Sequence, residues 1–157
     1  MDRLTKVLLS FFGLGYAPFA SGSFGTAGAF VLAWLLPAGD LWPVTAGVVL
    51  MLSCLVTMTL GNRAERLAGG KDPGFVVTDE VAGYFVTIAW IPKPEIGYLL
   101  AGFFVFRLFD VWKPWLVRRL EAIGGGVGIL LDDLMAGVFG LAVLTLLRFA
   151  TGWSGAL

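Results

Sequence analysis

Residues 129–149 read ILLDDLMAGVFGLAVLTLLRF. The run is apolar over about the 20 residues that a bilayer-spanning helix needs, yet Asp132 and Asp133 stand side by side near its start. The same combination occurs twice more. Asp79 and Glu80 lie near the start of the apolar run from Phe75 to Ile91, and Asp110 lies near the end of the run from Gly97 to Val111. An ionised group at membrane depth is costly and faces a partner or a wet cavity. These carboxylates are therefore the first candidates for function. The chain contains no histidine, so oxygen ligation of a hard cation such as Mg²⁺ is the metal chemistry these residues suggest.

Composition agrees with the membrane reading. Of 157 residues, 58% are hydrophobic and 14% charged, whereas a soluble domain carries roughly a quarter charged residues. The mean hydropathy of +0.87 points the same way. The expectation is an all-α integral membrane protein forming one domain over residues 1–157. The formal net charge is zero, which provides no field for nucleic acid and leaves membrane lipid as the expected partner. Nothing in the sequence specifies an oligomeric state. Cys54 is the single cysteine, so no intramolecular disulfide forms.

The pattern predicts a compact bundle of about five membrane segments: Thr26–Leu36, Val44–Leu60, Phe75–Ile91, Gly97–Val111 and Ile129–Phe149. Connections are expected at Ala38–Pro43, Gly61–Gly74, Pro92–Ile96 and Trp112–Gly128. Ahead of them, Leu4–Gly15 is apolar behind Arg3 and Lys6 and is expected to form an interfacial or re-entrant helix. It has no small-x-small cleavage pattern and is expected to be retained. Arg63, Arg66 and Lys71 fall in one connection, and Lys113, Arg118 and Arg119 in another. The positive-inside rule places both on the cytoplasmic side of a multi-pass protein. All the acid-bearing helix ends then gather at that one face.

Four motifs carry candidate chemistry. Asp79-Glu80 and Asp132-Asp133 are acid pairs, each followed about one helical turn later by a glycine, Gly83 or Gly137. Paired carboxylates can hold Mg²⁺ while leaving part of its shell to phosphate oxygens. The plainer alternative is that they cap helix ends and complement the dipole. A small residue one turn on lets a second helix approach closely. In Phe106-Arg107-Leu108-Phe109-Asp110-Val111-Trp112-Lys113-Pro114, Arg107 and Asp110 are three apart and share a helix face. Arg107 and Lys113 suit phosphate binding, or alternatively an internal ion pair with a snorkelling lysine. Ser21-Gly22-Ser23-Phe24-Gly25-Thr26 precedes an apolar helix, and its glycines and hydroxyls (Ser21, Gly22, Ser23, Gly25 and Thr26) can cradle an anion. Gly124–Gly128 is expected to be a flexible connector. Glu65 lies in a connection with Asn62, Lys71 and Asp72; it could join the metal cluster if the helix before it extends past Gly61, but it is expected to be a solvated loop acid and is not among the expected ligands.

Taken together and in this order, the Ser21–Thr26 motif, Val77–Gly83, Phe106–Pro114 and Gly125–Gly137 resemble the phosphatidylglycerophosphatase A family. The resemblance covers nearly the whole chain. It implies a small bacterial inner-membrane enzyme that depends on Mg²⁺ and removes the phosphate monoester of phosphatidylglycerophosphate to give phosphatidylglycerol. The family's first motif usually reads proline-glycine-threonine-tryptophan-glycine-serine. Here Ser21, Ser23, Phe24 and Thr26 replace four of these, and Leu116 stands where a proline often follows Trp115. No carboxylate is affected.

The residues also exclude several mechanisms. A histidine nucleophile or acid is absent, Cys54 has Leu60 rather than an arginine six positions on, and no Asp-x-Asp pair exists. A metal-assisted route remains, with Asp79, Glu80, Asp132 and Asp133 as metal ligands and Arg107 and Lys113 offsetting charge on the phosphoryl oxygens. Asp110 is either a further ligand or the base that activates water. The rivals are a phosphatase for another lipid phosphate and a carboxylate-lined cation channel or transporter. A channel would spread its acids through the membrane depth.

Overall fold

The computed structural model describes residues 3–89 and 95–153. Within them the α-helices are α1 (Arg3–Leu9), α2 (Ser21–Leu35), α3 (Trp42–Ala68), α4 (Thr78–Thr87), α5 (Ile96–Trp112), α6 (Trp115–Glu121) and α7 (Gly125–Thr151). Short 3-10 turns occupy Leu14–Tyr16 and Gly39–Leu41, and no strand is present among the described residues.

Two helices have spanning length. With the turn that leads into it, α3 runs over Gly39–Ala68, and α7 covers Gly125–Thr151. Val44, Val48, Met51, Leu52 and Leu55 are exposed along α3. Their spacing puts them on one face, and an apolar face turned outward suits a protein whose solvent there is lipid.

Five full spans are not what the helix lengths show. α4 has 10 residues, about 15 Å at 1.5 Å per residue, half of a roughly 30 Å hydrocarbon core. It is apolar because protein surrounds it. Val81, Ala82, Tyr84 and Phe85 are buried, and α2, α3, α5 and α7 all pack against it. α2, with 15 residues, and α5, with 17, wrap this central helix. The expected connection at Pro92–Ile96 and the end of the segment at Ile91 lie largely outside the described residues; α5 begins at Ile96.

Several boundaries also differ from expectation. Ser21–Thr26 is not a loop before a helix but the opening of α2 itself, after Ala20 in the left-handed region (φ +46). Gly125–Gly128 is the first turn of α7. α3 continues past Gly61 to Ala68, so Glu65 is helical. α6 fills part of the expected connection Trp112–Gly128. At the N-terminus α1 spans only Arg3–Leu9; the chain then turns through left-handed Phe11, Phe12 and Gly13. Leu9 is buried, and its carbonyl accepts the Val77 N–H at 2.9 Å. That bond ties the N-terminal segment to the residue before α4.

Glycine lets α4 and α7 meet backbone to backbone. A Cβ on Gly83 would lie 2.6 Å from the Asp133 carbonyl oxygen, and one on Gly137 would collide with the Gly83 carbonyl. The glycine following each acid pair therefore packs against the other pair's helix. α3 meets the start of α7 in the same way, where a Cβ on Gly61 would lie 2.6 Å from the Gly126 Cα.

Candidate metal and phosphate site

The α4–α7 contact brings the acid pairs together. Asp79 and Glu80 occupy the first turn of α4. The Thr78 hydroxyl just before them hydrogen-bonds the Thr57 hydroxyl of α3 at 2.8 Å, in a buried position. Asp133 comes from α7. Asp79, Glu80 and Asp133 each offer a carboxylate oxygen within 4.8 Å of the others'. Asp79 and Asp133 are each 4% exposed. Among the described residues, Asp79 Oδ1, Glu80 Oε2 and Asp133 Oδ2 are buried with no hydrogen-bond partner. Buried polar atoms are ordinarily satisfied, and three carboxylates gathered this closely, each with an unsatisfied oxygen, match the all-oxygen donor set of a hard divalent cation.

Asp132 and Asp133 lie two turns inside α7 rather than at its start. The dipole effect fades within the first turn, so capping does not account for them. Asp132 stands outside the converging trio. Its Oδ2 accepts from Lys113 Nζ at 3.0 Å, and the same ammonium donates to Glu121 Oε1 at 2.7 Å. Its Oδ1 is buried without a hydrogen-bond partner among the described residues. Burial pulls the Lys113 pKa down, but these two carboxylates outweigh it and the pKa ends above the usual lysine value.

A cleft of 350 Å³ opens beside the trio. Ser21, Gly22, Glu80, Arg107, Asp110 and Lys113 all line it. Arg107 forms an ion pair with Asp110, while its Nε has no hydrogen-bond partner among the described residues. Gly22 leaves room for both charges. A Cβ there would collide with Glu80 Oε1 and lie 2.9 Å from an Arg107 amino nitrogen. Other members of the expected anion cradle do different things. Gly25 and Thr26 are buried away from the cleft. Gly25 packs on Val77, and the Thr26 hydroxyl donates to the Gly22 carbonyl at 2.9 Å. Ser23 does not line the cleft either.

Asp72 is the residue that sequence reasoning passed over. It adopts φ +44 between α3 and α4, and it lines both the cleft and an adjoining cavity of 480 Å³ that also reaches Asp132. Desolvation by the surrounding protein raises its carboxyl above the usual range. Asp110, Glu121 and Glu65 add to the rise, against the pull of Lys113. Glu65 has a structural task. It accepts the N–H of Gly125 at 2.8 Å and of Asp72 at 3.3 Å, closing the start of α7.

Comparison with known proteins assigns the chain to a family. A model of the phosphatidylglycerophosphatase A family matches residues 7–148. A putative phosphatidylinositol-3-phosphatase of Bacteroides thetaiotaomicron is 35% identical over 147 residues, covering 90% of this chain and 91% of the relative. Phosphatidylglycerophosphatase A of Escherichia coli is 33% identical over 134 residues, 85% of this chain and 77% of the relative. The Haemophilus influenzae protein of the same name is 30% identical over 142 residues, 88% and 85% respectively. No solved structure matches the chain. A helical membrane protein with acids, an arginine and a lysine around one cleft, matched over most of its length, is a phosphoric monoester hydrolase acting on lipid, and the chain belongs to the phosphatidylglycerophosphatase A family.

Proposed function

We propose that the protein hydrolyses the phosphate monoester of phosphatidylglycerophosphate to phosphatidylglycerol and phosphate, with Mg²⁺ as cofactor and the site at the cytoplasmic face of the bacterial inner membrane. The observation that carries this reading is the gathering of Asp79, Glu80 and Asp133, with carboxylate oxygens within 4.8 Å of one another and an unsatisfied buried oxygen on each. These three would hold the cation, with Asp132 beside them. When bound, Mg²⁺ supplies Lewis-acid polarisation of the phosphoryl group. Arg107 and Lys113 line the cleft and balance charge on the phosphoryl oxygens. Ser21 and the start of α2 contribute donors at the same wall. Asp110, held by Arg107 outside the converging trio, is the group to accept the proton of the attacking water. Water adds to phosphorus as it gives a proton to Asp110, the bond to the glycerol oxygen breaks, and the leaving oxygen takes a proton from solvent water while Asp110 returns its own to solvent.

The cytoplasmic assignment rests on charge. Arg63, Arg66, Lys71, Lys113, Arg118 and Arg119 cluster at the site's end of the chain's two long helices. The name of the Bacteroides relative adds a chemical parallel. Phosphatidylglycerophosphate and a phosphatidylinositol 3-phosphate both carry the monoester two carbons along from the carbon that bears the phosphodiester joining headgroup to lipid.

Phosphate release by the detergent-purified protein tests the proposal, measured with Mg²⁺ and with excess chelator. Phosphatidate and a phosphatidylinositol 3-phosphate run in parallel. Release that requires Mg²⁺ and prefers phosphatidylglycerophosphate is expected. Full activity in chelator would refute the metal site, and a preference for either other lipid would refute the substrate.

A further inference from the structure

Outside the cleft, where α5 gives way to α6, lies a second space of 420 Å³. Its walls include Trp112, Lys113, Pro114, Trp115, Arg118 and Arg119: three cations, aromatic surfaces and no acid. Lys113, at φ +47, and Pro114 make the bend that forms it. Lys113 also lines the cleft that holds Glu80, Arg107 and Asp110, so the two spaces share a wall.

The three cations are not equivalent. Lys113 is already bound by Glu121 and Asp132. Arg119 lies against the Trp115 ring, 4.1 Å from its centroid. Arg118 has no ion-pair partner among the described residues, and it lines both this groove and the cavity that reaches Asp132. The cavity side carries Glu65, Asp72, Glu121 and Asp132, while the groove side has aromatic walls and no acid; a guanidinium held in no ion pair at that groove is suited to bidentate contact with a phosphate. Trp112 and Trp115, 65% and 67% exposed, present amphipathic rings of the kind found at headgroup level.

Resting on the phosphatase reading above, we propose that this groove is the subsite for the substrate's phosphodiester, with Arg118 as its main ligand and Arg119 beside it. The monoester then enters the acid-lined cleft on the far side of Lys113, while the acyl chains leave past Trp112 and Trp115 into the bilayer. Such a subsite explains how a phosphatase distinguishes a headgroup bearing two phosphates from phosphatidate, which has only the monoester. An anionic headgroup of the surrounding bilayer offers the same diester chemistry, so the test must separate the two sources.

The experiment compares the wild-type chain with Arg118→Ala and Arg118→Lys in neutral detergent with Mg²⁺. Phosphatidylglycerophosphate is the substrate. Short-chain phosphatidylglycerol probes the diester and inorganic phosphate probes the monoester, both as inhibitors. In Arg118→Ala, KM and the inhibition constant of phosphatidylglycerol are expected to rise roughly ten- to a hundredfold. The kcat and the inhibition constant of phosphate should stay close to wild type, and Arg118→Lys should recover part of the loss. Three results would overturn the subsite: an unchanged constant for phosphatidylglycerol, equal weakening of both inhibitors, or non-competitive inhibition by phosphatidylglycerol, which would mark contact with bulk lipid. Absence of turnover by the wild-type chain is a different result. It would remove the phosphatase reading, and the subsite with it.

Discussion

At the scale of single residues, Asp133 shows the conflict between stability and chemistry. It is buried, its Oδ2 has no donor, and Asp79 and Glu80 face it. Like charges packed this way oppose folding unless a cation joins them. Asp133→Asn keeps the shape and removes one charge. Phosphate release should fall roughly a thousandfold, if the ligand is worth about 4 kcal/mol of transition-state stabilisation. The metal-free variant should melt at or above the wild-type temperature, since it relieves repulsion. Near-normal turnover would remove Asp133 from the site. Lys113 gives a prediction about pH. Its folded-state pKa is raised, so its ion pairs are fully present below the unfolded value and are lost only as pH rises through the higher folded one. It therefore stays charged at neutral pH and serves as a fixed cation rather than a proton donor. Lys113→Arg should retain the wild-type shape of the kcat–pH profile between pH 6 and 9, a window chosen to lie below the usual lysine pKa of about 10.4. Loss of an alkaline limb in that window would show that Lys113 donates a proton. The acids of α4 and α7 were legible in sequence because a charge inside an apolar run is anomalous. Asp72 was not, because an acid in a polar connection is ordinary, and only the folded chain carries it to the junction of two cavities.

At the scale of elements, the contact between α4 and α7 decides whether the acids meet. The space at Gly137 is filled by the Gly83 carbonyl, which is backbone and cannot swing aside. Gly137→Ala should force the helices apart and destabilise the fold by roughly 1–3 kcal/mol. It should also cost activity out of proportion to that loss, because Asp79 and Glu80 would move away from Asp133. The checks are thermal unfolding and phosphate release on the folded fraction. Unchanged values in both would mean that the helices have room to spare. The glycine after each acid pair gave this contact away in the sequence. The role of α4 was harder to read. Burial in protein and burial in lipid select the same apolar residues, so Phe75–Ile91 looks like a span although α4 is a ten-residue core helix. The start of α2 was misread for the opposite reason. Glycine and serine disfavour helix interiors, but here Gly22 must leave space for Glu80 and Arg107, and Gly25 must leave space for Val77. Packing overrides propensity at that helix.

At the scale of the whole molecule, the two long helices run in opposite directions past the site. The last turn of α3, Glu65 to Ala68, lies beside it and α7 begins beside it at Gly125, and the two are joined there by the Gly125 N–H to Glu65 bond at 2.8 Å. The site therefore lies at one end of both helices, and the turn at Gly39–Leu41 lies at the other end of α3. The basic residues Arg63, Arg66 and Lys71 belong to the site's end, while Asp40 is the charged residue of the opposite turn. Under the proposed cytoplasmic assignment, the rule that keeps basic connections inside turns the site's end of the bundle inward. Replacing Cys54 with serine and placing a single cysteine at Asp40 or at Lys71 makes this measurable. A membrane-impermeant maleimide applied to intact cells should label the cysteine at position 40, and should reach position 71 only after the membrane is opened. Both substituted residues are solvent-exposed, so access is set by the side of the membrane and not by burial. The reverse pattern would turn the site outward and refute the cytoplasmic assignment. Labelling of both positions in intact cells would mean that α3 does not cross the bilayer. The acid-lined cleft would then belong to a protein lying on the membrane rather than through it.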